Sequence, residues 1–533
     1  MKLSGAFRPS ASERRASLRH GTLLLAERCS ALPARGGFIL IAVLVLVMLI
    51  SMIAISLMFQ LKAADTAVSA GSGAEQAWSA AMSGVREAIR VARAAKPGVT
   101  DWEENAGAFK DRLVFDDVSE RWYFTVYSPA SSDDALSEMR YGLTSEAGKL
   151  NINAAHTTNL THLPRMTVPL IAALRDFVDW DSDVRPDGAE QEHYDALPRA
   201  YTIRNGPLDT LDELLLVRGF TPSLLYGEDS NMNWCLDVNE NDADERFPSD
   251  NADGKLDRGF SQFLTVASYD PNEDNEGIPR TNLNLANDPL PQIELPGPLT
   301  NFIHQLRTNK QSVAHPVDLL DAKLTWTNAN GTKAELASGV GKDELGLVLD
   351  LFTTSRESRF DGLIDVNTAS IAVLRTVQGI DEPLAESIVS GRRSISPERR
   401  SSLAWLLQEG IVDVPKFKEI APLLTARSRQ FSFHVVGYGV PSGRYRVLEV
   451  IIDVAGDEPR ITYLRDLTKL GMPFPLTGPD LTTTASTGAA ISGSGQFADG
   501  RVGRVAPSAP LRHWQRPTGA RGATRPTVEA PRG

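Results

Sequence analysis

At 533 residues the chain exceeds what a single hydrophobic core supports, so two or more domains are expected, with further segments outside them. Its composition, 42% apolar and 23% charged, is that of an ordinary globular protein, and a net charge of −12 argues against a broad nucleic-acid surface, which needs clustered Lys and Arg. Only two cysteines, Cys29 and Cys235, are present, which leaves little scope for a disulfide framework.

The first element in chain order is apolar. Residues 38–61, FILIAVLVLVMLISMIAISLMFQL, run about 24 residues without a charge, enough to cross a hydrocarbon core of roughly 30 Å as a helix. The preceding segment carries Arg8, Arg14, Arg15, Arg19, Arg28 and Arg35 against Glu13 and Glu27, so the N-terminus is expected in the cytoplasm and the bulk outside. A secretory signal would have a shorter apolar region and a small-residue cleavage site. At the junction, Arg35, Gly36, Gly37 and Phe38 resemble the prepilin peptidase site of type IV pilins and pseudopilins. The resemblance implies cleavage after Gly37, with Phe38 as the methylated N-terminus and residues 1–37 as a leader that is longer than usual. Glycine suits that position because it lets a protease approach the backbone. Loss of the leader would remove Cys29 and leave no partner for Cys235. Counting from Phe38, position five is Ala42, where pilins usually carry a glutamate; a subunit with nothing above it to pair with can omit a buried carboxylate.

After Lys62 an Ala-rich stretch, with Ala77, Trp78, Ala81, Met82, Val85, Ile89 and Val91, keeps helical spacing until Lys96, Pro97 and Gly98 stop it. Strand-like runs follow from Arg112, Arg121 and Arg140, and the pattern resumes only at FSFHVVGYG from Phe431 and RYRVLEVIIDV from Arg444. Residues 441–443, Pro-Ser-Gly, make a hairpin turn between these last two. The expected fold is α+β: a pilin-like long N-terminal helix plus a small antiparallel sheet, with a large, mainly helical domain inserted in the sheet. The expected divisions are a leader 1–37, a transmembrane helix 38–61, a pilin-like helix and first strands 62–154, the insertion 155–428, C-terminal strands 429–468, and a disordered tail 475–533 rich in Thr, Ser, Gly, Pro and Arg.

Inside the insertion three segments share a signature: KLNINAAH from Lys149, TNLNLAND from Thr281 and LIDVNTAS from Leu363, each placing Asn ahead of a helical pattern, suited to capping. The last runs into a stretch that resembles a helix-hairpin-helix unit with Gly379 at the hairpin; Asp381 and Glu382 beside it would repel phosphate, which favours scaffolding over DNA binding. Two blocks, LRDFVDWDSDVRPDGAEQEHY from Leu174 and PLDTLDELLLVRGF from Pro207, closely resemble the K subunit of bacterial type II secretion machines. That resemblance implies a minor pseudopilin at the tip of a periplasmic pseudopilus, non-enzymatic, with the H, I and J pseudopilins, an inner-membrane platform, prepilin peptidase and exported proteins as its partners. Two rivals are a minor pilin of a type IV pilus and a membrane-tethered DNA receptor. The insertion disfavours the first and the acidic balance the second, so no nucleic-acid partner is expected.

The stretch 236–260 is acidic, and Asp237, Asn239, Asn241, Asp242, Asp250, Asp253 and Asp257 offer alternating oxygens suited to calcium, which takes six to eight oxygen ligands. It is not an EF-hand, and a solvated acidic surface is the alternative. The K-subunit resemblance implies calcium as a structural ion. A second cluster, Asp179, Asp181, Asp183, Asp187 and Glu190, reads first as helix capping and salt bridging, and otherwise as a further cation site. There is no phosphate loop, HExxH pair or G-x-S-x-G elbow, and His156, His162 and His304 read as structural groups, so no catalytic residue is assigned.

Overall fold

The computed structural model describes residues 36–116, 120–130, 139–327 and 332–475. Residues 1–35 of the expected leader, Cys29 among them, and the expected tail from 476 onward lie outside these. Contacts divide the chain into two units, one up to Gly73 and one from Ala74.

In the first unit, the described residues form the apolar part of a helix, α1 (Gly36–Ala94), whose best 18-residue window has a mean hydropathy of 3.1. From Ile39 to Leu61 its apolar side chains are exposed, as a segment meant for lipid must be. The helix is long and apolar enough to cross a membrane.

In the second unit, the C-terminal part of α1 packs on an antiparallel sheet. Its strands β1 (Arg112–Asp116), β2 (Arg121–Pro129), β3 (Gln430–Val440), β4 (Tyr445–Asp453) and β5 (Arg460–Asp466) lie side by side in that order. The helix face is small: Ala77, Ala80, Ala81 and Ala88 are buried with Val85. Gly437 of β3 completes the fit, since an added Cβ there would strike the backbone of Ala77 and Ala81. Such close backbone approach is what Ala and Gly permit. Phe124, Val126, Phe431, Phe433, Val435, Leu448 and Val450 fill this core, and Trp102 meets Phe431 edge-on at 4.8 Å.

The central pairing, β2 with β3, joins Tyr127 to His434 and Arg121 to Val440 across nearly the whole insertion. That insertion leaves the sheet where Thr144 and Ser145 pair with Ser432 and Phe431. Besides helices such as Val168–Val178, Leu299–Thr308 and Glu382–Ser394, it holds short strand pairs that the helical periodicity did not announce. The cause is a repeated unit whose strands are only two residues long, too short to show alternation.

Three copies of this unit repeat the same contacts at matching positions. Each opens on a side-chain oxygen that accepts the N–H two residues on: Asn151 from Asn153 (3.0 Å), Asn282 from Asn284 (2.9 Å) and Asp365 from Asn367 (2.9 Å). The second Asn then donates to a remote carbonyl, Leu208 (2.9 Å), Val313 (2.9 Å) or Arg400 (3.0 Å). A leucine pair follows each clamped carbonyl at the same spacing: Leu214 and Leu215, Leu319 and Leu320, Leu406 and Leu407. Each unit closes with a parallel bridge, Leu150–Asn151 to Leu264–Thr265, Thr281–Asn282 to Phe352–Thr353, and Ile364–Asp365 to Leu424–Thr425. The hydroxyls of Thr265, Thr353 and Thr425 accept the N–H two residues on, at 3.0, 3.2 and 3.2 Å. The asparagines expected as helix caps are therefore clamps; the helices after the first and third are capped by His156 and Ser370 instead. An Asx turn competes with capping for the same side-chain oxygen, and here it wins.

Candidate functional site

The acidic loop is an excursion from the first repeat. Gly227 and Gly259, at φ +67° and +55°, bring its two ends into contact, where a side chain on either would strike the opposite backbone. Within it the side-chain oxygens serve the loop itself. Asp237 Oδ2 accepts from Asn231 (2.7 Å) and Asn233 (3.0 Å). Asp250 accepts the N–H groups of Asp242 (3.1 Å), Ala243 (3.0 Å) and Ala252 (2.8 Å). Asn241 accepts from Gly254 (3.0 Å), Asp253 from Lys255 (2.8 Å), and Asn239 donates to the Phe247 carbonyl (3.1 Å). Asp257 pairs with Arg165 at 2.8 Å. Asp242 keeps one buried oxygen without a hydrogen bond. These residues lie along one loop, with Asp242 and Asp250 adjoining and Asp257 turned to its own cation.

The second cluster converges. Asp179, Asp181 and Glu190 each offer a carboxylate oxygen within 4.8 Å of the others. Asp179 closes the C-terminus of helix Val168–Val178, and Glu190 precedes helix Gln191–Asp195. One oxygen of Asp179 is held by Arg185, which also bonds the fully buried Asp176 at 2.7 Å; the other accepts nothing. Both oxygens of Glu190 are buried without a hydrogen bond. Burial raises the Glu190 pKa, and the negative charges of Asp176, Asp179 and Asp181 push it the same way. A buried carboxylate with both oxygens bare is costly. A divalent cation at this point would supply the missing positive charge, and three hard oxygens suit calcium. Salt bridging was the first sequence reading, and Arg185 does make it; what sequence spacing hid is that residue 190 folds back against 179 and 181. Asp183 donates its N–H to Asp181 (2.9 Å), and Asp187 sits in the intervening turn at φ +64°.

Gly37 and Phe38 fall in the first turn of α1, and Ala42 is exposed on it. At the helix-hairpin-helix segment, Gly379 takes φ +91° and the Asp381 carboxylate accepts the Leu384 N–H at 3.0 Å, so a donor that would face phosphate is already bonded.

Residues 148–226 match the family model described as "Type II secretion system (T2SS), protein K". The matched span holds the first repeat's opening strand, its clamp and the Asp179, Asp181 and Glu190 cluster, and ends where the acidic loop begins. Among solved structures, the chain is similar to one in the crystal structure of the GspK-GspI-GspJ complex from the enterotoxigenic Escherichia coli Type 2 Secretion System, at 13% identity and a TM-score of 0.35, covering 76% of this chain and 99% of that one. No curated protein matches. The similarity to protein K of the type II secretion system thus rests on residues 148–226.

Proposed function

We propose that this chain is a minor pseudopilin at the tip of a type II secretion pseudopilus, which initiates assembly and supports export of folded proteins across the outer membrane. The observation that carries the reading is the protein K match at residues 148–226, in an insertion between strands of a sheet whose packing helix is continuous with an apolar span. The work is binding, not catalysis. The helix anchors the chain in the inner membrane with the bulk periplasmic, and it packs among the helices of the H, I and J pseudopilins above the assembly platform. Prepilin peptidase cuts between Gly37 and Phe38. The insertion, standing on the sheet, blocks addition of a further subunit and so enforces the tip position, which leaves Ala42 with no N-terminus to neutralise.

Calcium is the proposed structural ion. Asp179, Asp181 and Glu190 would hold one, since their carboxylates converge and the orphaned oxygens of Asp179 and Glu190 fit a cation; the loop bearing Asp237, Asn239, Asn241, Asp242, Asp250, Asp253 and Asp257 is a second, looser candidate.

Affinity purification of the full chain from its own cells, with mass spectrometry of the captured proteins, tests the assignment. Co-purification of pseudopilin-like subunits and a mature N-terminus at Phe38 are expected. Capture of pilus subunits alone, or of none, would overturn the reading.

A further inference from the structure

His434 is a buried residue of β3. Its ring lies flat on Trp234, centroids 3.5 Å apart at 14°, with Tyr127 of β2 edge-on at 5.4 Å. Among the described residues, neither ring nitrogen has a hydrogen-bond partner. The nearest acid, Glu449 of β4, stands 3.9 Å from Nε2, beyond hydrogen-bond reach. Trp234 belongs to the insertion, and its seat is fixed by Asp229, which accepts the N–H groups of Asn233 (3.0 Å) and Trp234 (3.1 Å). The insertion and the sheet are therefore fastened here by a stack of two rings.

A charged line runs beside the stack. Glu449 lies 3.7 Å from Arg465 of β5, and Arg465 bonds Asp212 of the insertion at 2.9 Å. Tyr226 donates to the other oxygen of Asp212. Both fastenings open on a cavity of about 560 Å³ lined by His434, Trp234, Glu449, Asp212, Tyr226 and Arg258. The charges felt at His434 are Glu449 from β4, Arg465 from β5 and Lys149 from the turn before the first repeat; Tyr127 from β2 is kept neutral by burial first, with Cys235, Asp229 and Glu449 acting the same way.

We infer that His434 is a pH-sensitive latch, whose protonation unseats Trp234 and loosens this corner of the insertion from the sheet. As a neutral ring, His434 is an apolar plate. As a cation it needs water or an anion, and the nearest anion among the described residues, Glu449, is shared with Arg465. Drawing Glu449 to His434 takes it from Arg465, while the adjoining cavity admits water. The attraction of a cation for the indole face acts the other way, while burial holds the imidazole below its ordinary 6.5 against the raising effect of Glu449. A base with a lowered pKa is bound better neutral, so the latch is at full strength above 6.5 and weakens as pH falls through the region below it. Glu449 is held below its ordinary 4.5, chiefly because contact with His434 and the charges of Arg465 and Lys149 outweigh its burial, so its own loss comes at lower pH and leaves the interval between to His434.

Hydrogen exchange of the full chain in detergent, at pH 7.5 and 5.5 and corrected for intrinsic rates, reads this directly. Peptides spanning 226–235 and 430–440 are expected to lose several-fold in protection at the lower pH, up to about tenfold, the ceiling that one proton on a group of ordinary pKa sets over this interval. His434→Phe, which stacks but takes no proton, is expected to hold its protection at both. Unchanged wild-type protection, or an equal loss in His434→Phe, would overturn the latch. If His434→Phe does not fold, Glu449→Gln decides: it removes the anion that stabilises the imidazolium in the closed state, so the loss of protection on acidification must be at least as large as in wild type, and a smaller loss overturns the inference.

Discussion

The three clamp asparagines occupy one position of a repeat in three different surroundings, and substituting each by alanine separates hydrogen bonding from burial. Asn367 is buried and its Nδ2 donates to two carbonyls, Arg400 and Ala426, each at 3.0 Å. Asn153 and Asn284 are exposed, and each makes a reciprocal pair with one residue, Leu208 (2.9 and 2.9 Å) and Val313 (2.9 and 3.1 Å). A hydrogen bond contributes about 1 kcal/mol net, but an acceptor left buried and bare costs about 1–3 kcal/mol. Asn367→Ala orphans one buried carbonyl, that of Ala426, and one part-buried, that of Arg400, so the expected loss is about 2–4 kcal/mol. At Asn153 and Asn284 water can replace the side chain, and about 1 kcal/mol is expected for each. Urea unfolding of the full chain in detergent, read as midpoint shifts at constant slope, measures all three. Equal losses at the three sites would refute the argument, as would Asn367→Ala falling within about 0.5 kcal/mol of wild type, since both outcomes divorce the clamp's contribution from its burial.

Asp365→Asn restores the residue that opens the other two repeats. Burial raises this carboxyl to about 6, against the hydrogen bonds from Asn367 and Thr368, so the ionised form is a liability above that pH and none below the ordinary 3.8. The substitution should stabilise by roughly 1–3 kcal/mol at pH 7.5, with the gain vanishing as pH falls toward 4, read by thermal melts across pH. Calcium at a hundredfold excess over its dissociation constant should add about 2.7 kcal/mol, a chelator should remove it, and Glu190→Gln should abolish most of the response, while Asp250→Asn, Asp253→Asn and Asp257→Asn together should alter it less. Gly437→Ala should cost about 3 kcal/mol by pushing α1 off the sheet, whereas Gly443→Ala, in the open hairpin turn, should cost less, its cost being backbone strain alone; denaturation midpoints compare the two.

The long helix, the paired runs from Arg121 and Phe431, and the hairpin at 441–443 were legible because period and turn residues are local signals. The asparagine signature was legible as a repeat but not as a clamp, because its partners Leu208, Val313 and Arg400 are 55, 29 and 33 residues away and marked only by the leucines that follow them. The cation cluster was half legible for the same reason. Asp179 and Asp181 announce themselves as neighbours, but Glu190 meets them only because the chain turns back through Arg185 and Gly188, where an added Cβ would strike the Asp176 carboxylate. Nothing in the sequence marked His434, which sits in an apolar run as one more inward residue of a strand.

Because β2 and β3 are neighbours in space but lie some 300 residues apart in the chain, the sheet cannot close by a local route. Forming that pairing from an open coil would carry the loop-closure entropy of the entire insertion, and topologies of such high contact order fold slowly. The repeats change the kinetics. Each draws its own ends together through a two-residue parallel bridge, and the first and third bridges lie close to the points where the chain leaves and re-enters the sheet. Once those units have formed, the separation that β2 and β3 must span is a matter of a few short tethers. An insertion that looks like an obstacle to a small sheet thus shortens the loop that the sheet must close, and a chain whose repeats are weakened should form its sheet more slowly as well as lose stability.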